Sequence, residues 1–218
     1  MKRLLLILSF FLLSQTATVQ AAGAYGITQE SAQNNLRDKD SLKRGAMLFS
    51  NYCMACHSVS YIRYNRIARN LGWDDDAIVA EMAYGQSTVV DDVNSRMLPG
   101  VAMAVFGTEP PDLSLMTRVK GSDYIYSFLR GYEQDEKGEW DNRYLPGTVM
   151  PNVLEGIQRH SSEKEYAEAA RDITNFLEYV SEPSKIDRLD LGWKVIAFLL
   201  VLLLLTYLLK REYWKDIK

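Results

Sequence analysis

Both cysteines of this chain fall in one pentapeptide, Cys53-Met54-Ala55-Cys56-His57. The pattern is C-x-x-C-H. Its two thiols can form thioethers to the vinyl groups of a haem while the adjacent imidazole reaches the iron. The motif also takes one of the chain's two histidines. A zinc site would need more Cys or His than His160, the other histidine, supplies. A thioredoxin-like pair would need a strand before the motif, and the residues before it read as a helix. The chain is thus read as one that must fold around a single covalently bound haem c.

The two ends place that haem. Lys2 and Arg3 precede an apolar run over residues 4–13, and small residues follow up to Ala21. This is the layout of a secretory signal peptide, with cleavage expected after residue 21. The run is too short to span a bilayer. Near the other end, residues 195–209 carry no charge. They cover about 22 Å as a helix. Extended back through Trp193, Gly192 and Leu191, the segment reaches membrane thickness, with Lys194 able to snorkel. Trp193 on one side and Tyr207, Tyr213 and Trp214 on the other suit the two interfaces. Lys210, Arg211, Lys215 and Lys218 follow the span, so the tail is expected to be cytoplasmic. The expected layout is a signal peptide at 1–21, an exported haem domain at 22–190, a transmembrane helix at 191–210 and a cytoplasmic tail at 211–218. In a Gram-negative bacterium the haem domain is then periplasmic and anchored to the inner membrane.

Charge separates along the chain. Of 25 basic and 28 acidic residues, two basic ones lie in the N-terminal segment, and five basic and two acidic ones lie in 194–218. The stretch between keeps 18 basic against 26 acidic residues, a net of −8. Asp74-Asp75-Asp76, Asp91-Asp92, and Glu133, Asp135, Glu136, Glu139 with Asp141 form acidic clusters. Such a surface repels nucleic acid and steers basic protein partners.

Periodicity in the exported part points to a mainly α fold with long loops. Asp40 or Ser41 can cap a helix with Leu42, Ala46, Phe49 and Cys53 on one face. Residues 61–71 read as a helix ended by Gly72, and 74–83 as a short helix with acidic residues in its first turn. Residues 85–112, rich in Gly and Pro, read as a loop. Ser122 can cap a helix that stops at Gly131, and 132–152 reads as loop again. Ser162 and Glu165 form a capping box for a helix carrying Ala169, Ile173, Phe176, Leu177 and Val180. Pro183 ends it, and residues 181–190 read as a polar linker. No β-strand alternation stands out.

The iron's second face needs its own ligand, or it stays open for gases or catalysis. Met82, Met97, Met103 and Met116 are possible donors, and His160 competes from a polar stretch. Met150 is the best candidate, presented by the stiff loop Pro146-Gly147-Thr148-Val149-Met150-Pro151.

Taken together, these motifs resemble the cytochrome c1 family, the haem subunits of the cytochrome bc1 complex, in a bacterial form. The likeness rests on Cys53-Met54-Ala55-Cys56-His57-Ser58, Pro110-Pro111-Asp112-Leu113-Ser114, and Ser122-Asp123-Tyr124 through Gly131-Tyr132. It also rests on the Met150-Pro151 loop, Phe176-Leu177 before Glu182-Pro183, and the C-terminal anchor. The resemblance implies a cytochrome c-like haem domain plus one C-terminal transmembrane helix. It implies thioethers at Cys53 and Cys56, His57 as proximal and Met150 as distal iron ligand, and a haem propionate paired with Arg118 or Lys120. It further implies that Gly45 and Phe49 pack on Phe176 or Leu177. The chain departs from the family before the prolines, where Val105-Phe106-Gly107-Thr108-Glu109 stands in place of an Asn-Gly-Ala-like segment.

The function implied is electron transfer with no bond-making catalysis by this chain alone. Single electrons would come from a Rieske iron–sulfur protein and go to a cytochrome c, beside cytochrome b in a dimeric complex. The alternative is an anchored cytochrome c of another terminal oxidase or reductase.

Overall fold

The computed structural model describes residues 27–98 and 100–217, so the expected signal peptide lies outside the described residues. Chain order runs α1 (Lys39–Tyr52), β1 (Val59–Arg63), α2 (Tyr64–Leu71), α3 (Asp75–Glu81), β2 (Asp92–Val93), α4 (Val101–Phe106) and α5 (Met116–Lys120). Then come α6 (Ser122–Arg130), β3 (Tyr132–Gln134), β4 (Trp140–Asn142), α7 (Glu155–His160), α8 (Glu163–Ser181) and α9 (Lys185–Tyr213), with a 3₁₀ turn at Lys215–Ile217. β1 pairs antiparallel with β2, and β3 with β4. The expected mainly α fold is what forms.

Helix α1 starts because the Asp38 carboxylate accepts from Ser41 N, two residues before Asp40 and three before Ser41, the caps expected from sequence. It then buries Leu42, Ala46 and Phe49. Helix α8 opens on the full capping box of Ser162 and Glu165 and buries Tyr166, Ala170, Ile173, Phe176, Leu177 and Val180. The two helices cross at Gly45. A Cβ there would sit 2.0 Å from Asp172 O and 2.8 Å from Phe176 Cβ. Phe49 and Phe176 meet just beyond, with ring centroids 5.7 Å apart. Burying each such ring contributes about 1.5–3 kcal/mol.

Polar groups fix the crossing as well. Buried Asp172 accepts from Ser41 Oγ at 2.6 Å and from Arg44 Nε at 2.6 Å and its second guanidinium nitrogen at 3.1 Å. Asn175 Nδ2 donates to Ser41 Oγ and to Asn35 O, both at 3.0 Å. A carboxylate removed from water is tolerated here because its oxygens are occupied.

The segment before α1 is stitched to the helices by side chains. Glu30 N donates to Ser127 Oγ and Ala32 N to Asp123 Oδ1, each at 2.8 Å. Arg171 Nε donates to Ala32 O at 2.9 Å, and Tyr144 OH to Thr28 O at 3.2 Å. Arg130 joins it by pairing with both Glu30 and Glu163.

Five local expectations change. Helix α2 begins at Tyr64, because residues 59–63 pair with β2 instead of winding. The 85–112 stretch contains β2 and the six-residue α4, which is held between left-handed Gly100 (φ 82°) and Gly107 (φ 69°). Residues 132–142 form a hairpin. The residue before α6 is Gly121, and Ser122 gives its hydroxyl to Glu178 at 2.7 Å. The expected linker is also shorter: α8 ends at Ser181 and α9 resumes at Lys185. Helix α9 is the one described helix long and apolar enough to cross a membrane.

Gly45→Ala is expected to lower stability by about 1–3 kcal/mol through the clash with Asp172. Gly156→Ala has nothing within 4 Å of the new Cβ. It should be neutral or stabilising by up to about 1 kcal/mol. Chemical denaturation followed by far-UV circular dichroism compares the two.

Candidate functional site

The C-x-x-C-H motif is wound onto the end of α1. Cys53 N and Met54 N both donate to Phe49 O, at 2.8 and 2.9 Å. Cys56 N and His57 N then both donate to Cys53 O, at 3.0 and 2.8 Å. This last turn brings His57 back beside Cys53, so both sulfurs and the imidazole leave one tight loop. Cys53 is buried and Cys56 half-buried, and they form no disulfide. Burial first, and Cys56 second, push the Cys53 thiol up to about 12. A thiolate metal site is therefore disfavoured there, whereas a thioether carries no charge to desolvate.

His57 is buried, and its Nδ1 lies 2.8 Å from Pro111 O. A carbonyl only accepts, so Nδ1 carries the proton and Nε2 keeps its lone pair. Burial lowers the His57 pKa, outweighing the Pro111 hydrogen bond and nearby Asp112. The neutral imidazole with a free Nε2 is the form that binds a metal.

Three segments hold this loop. Below it, buried Met54 receives the Tyr64 hydroxyl at its sulfur (3.6 Å), and Arg96 N donates to Met54 O at 3.2 Å. Beside it, Ser95 N donates to Ser58 Oγ at 2.8 Å. Across from it, Leu113 N donates to Ser58 O at 2.8 Å, and Asp112 binds Ser60. The role of Asp112 and Ser114 in this scaffold was not read from sequence. Only the motif Pro110-Pro111-Asp112-Leu113-Ser114 marked the place.

Met150 lies in a separate loop after β4. Tyr132 OH donates to Met150 O at 2.9 Å, and Gly147, at φ 75°, donates its N–H to Asp141 Oδ1 at 2.9 Å. Burial, above all, raises the Tyr132 pKa, so its hydroxyl stays a donor. Met150 itself is half-buried. The competing His160 is exposed at the end of α7, with Nδ1 2.9 Å from Gly156 O. Met82 is buried in the core, and Met103 is exposed. Arg118 and Lys120 both sit exposed on α5. Arg118 acts electrostatically on Glu182, and the Lys120 ammonium stands 5.6 Å from the Tyr124 ring centre.

The residues present fit a haem. The donor set is two unpaired thiols and an oriented imidazole in one turn.

The Cytochrome C1 family model matches residues 30–100 and 96–217. The chain is 37% identical to cytochrome c1 of Allochromatium vinosum over 99% of both chains. It is 35% identical to the ammonia monooxygenase gamma subunit of Nitrosomonas europaea, over 83% of this chain and 85% of that one. It is 30% identical to the mitochondrial cytochrome c1 heme protein of Schizosaccharomyces pombe, over 83% of this chain and 68% of that one.

Tyr132→Phe removes the donor that holds the Met150 carbonyl. It should cost about 1 kcal/mol. Amide hydrogen exchange over residues 148–152 should quicken, while exchange in α1 stays as it was.

Proposed function

Since the chain belongs to the cytochrome c1 family, we propose that it is the membrane-anchored electron carrier of a quinol:cytochrome c reductase. It takes single electrons from a Rieske iron–sulfur protein and hands them to a cytochrome c. The observation that carries the chemistry is the His57 ring, its Nδ1–H spent on Pro111 O and its Nε2 left free. Haem supplies a one-electron couple. Cys53 and Cys56 hold it by thioethers, which keeps it in place through both oxidation states. His57 would be one iron ligand. Met150, in the loop pinned by Tyr132, would be the second and would favour a high potential. Arg118 or Lys120 pairs with a propionate.

The anchor is α9. The basic residues Lys210, Arg211, Lys215 and Lys218 support a cytoplasmic C-terminus, with the haem domain on the periplasmic side of a bacterial inner membrane after removal of residues 1–21. The exposed clusters at Asp74–Asp76 and at Glu133–Glu139 with Asp141 suit a basic acceptor. Cytochrome b lies beside the anchor in a dimeric complex.

The ammonia monooxygenase gamma subunit favours a second reading, in which the same anchored cytochrome serves another oxidase or reductase. Mild solubilisation and affinity capture of the full chain separates the two. Cytochrome b and an iron–sulfur protein are expected in stoichiometric amounts; a different oxidase or reductase in their place supports the second reading.

Met150→Leu should abolish the weak ferric thioether–iron absorption band and lower the midpoint potential. Retention of both would exclude Met150 as ligand. The same redox titration on Arg118→Gln and Lys120→Gln assigns the propionate partner. Losing the adjacent positive charge should lower the potential in one variant and leave the other unchanged.

A further inference from the structure

The motif Pro110-Pro111-Asp112-Leu113-Ser114 supplies the carbonyl that orients His57, yet its two prolines have no N–H with which to fix their own position. The anchoring comes from the next residue. Asp112 Oδ2 accepts from Ser60 N at 3.0 Å and from Ser60 Oγ at 2.5 Å, and Asp112 Oδ1 accepts from Ser114 N at 2.7 Å. Ser114 Oγ in turn accepts from Tyr61 N at 3.1 Å, and Leu113 N donates to Ser58 O at 2.8 Å. The residue directly after Pro111 is thereby tied to the residue three places after His57. The Pro111 carbonyl lies on the imidazole, 2.8 Å from Nδ1, with these bonds on either side of it in the chain.

We propose that Asp112 is a positioning residue for the proximal ligand: through Ser60 and Ser114 it fixes Pro111 O on His57 Nδ1–H and so sets the redox potential. The inference rests on the reading of His57 as the haem ligand. A firm Nδ1–H···O bond makes the ring more electron-rich at Nε2, which favours the oxidised metal. Loosening it leaves a poorer donor and raises the potential.

Neutralising Asp112 would raise the potential by charge alone, so the test uses variants that keep the charge. Equilibrium redox titration is run on the full-length, haem-loaded protein purified with its complex, together with the ferric electron paramagnetic resonance signal. Ser60→Ala removes one hydroxyl from the clamp and should shift the potential upward. Ser60→Thr restores the hydroxyl and should return the wild-type value. Asp112→Glu keeps the charge but displaces the carboxylate, and should shift upward. Asp112→Asn loses the charge and one of the two accepting oxygens, and should shift furthest. The ferric g values should move in Ser60→Ala and Asp112→Glu and not in Ser60→Thr. A shift confined to Asp112→Asn would mean that the carboxylate acts by charge only, and overturns the clamp. Equal shifts in Ser60→Ala and Ser60→Thr overturn it too. Wild-type protein without attached haem overturns the haem reading and the clamp with it; a haem-loaded wild type whose charge-conserving variants stay put overturns the clamp alone.

Discussion

The contact between Gly45 on α1 and the Asp172 backbone on α8 governs the domain. Helix α1 is capped by Cys53, so wherever α1 lies the two thiols and His57 must follow. Its position is set by how closely it can approach α8, and that distance is the one only a glycine allows. Hydrophobic burial at Phe49 and Phe176 brings the helices together. Burial alone is non-directional, however, and permits sliding and rotation. The hydrogen bonds of Ser41, Arg44 and Asn175 around Asp172 remove that freedom.

From this crossing outward, each element fixes the next by fewer and more specific contacts. The core helix delivers the motif, β1 carries the chain away from it, and the segment after the two prolines returns to meet both. Tyr64 beneath Met54 and Pro111 beside His57 are 47 residues apart in sequence and serve the same five-residue loop. Several distant stretches converge on the site, although among the described residues no long strand or large sheet supports it.

Much of this was legible in the residues, and the boundary of legibility has physical causes. The C-x-x-C-H loop, the Ser162–Glu165 cap and the apolar anchor are local signals, complete within a few residues. What sequence reading missed depends on partners far away. Residues 61–63 look helical on their own and join a strand, Val59–Arg63, because residues 92–93 pair with it. Helix α4 is only six residues between two left-handed glycines, too short to show a period. The β3–β4 hairpin did leave a signal, an Asp135…Gly138 turn in which Asp135 Oδ1 accepts from Lys137 N and Glu139 N, but it sat among charges that read as loop. The clamp at Asp112 joins residues 52 apart, and no spacing rule reports such a pair.

Helix α9 has a geometric consequence of its own. It begins at Lys185, and its charge-free part begins only at Val195. Ahead of the expected span at 191–210, residues 185–190 form about 9 Å of helix. They carry Lys185, Asp187, Arg188 and Asp190, and are braced to the domain by Lys185–Glu178, Arg188–Glu182 and Arg37–Asp190 pairs. These pairs tie α9 to the domain across the short break at residues 182–184. With α9 as the anchor proposed above, they would limit how far the domain could tilt about that break.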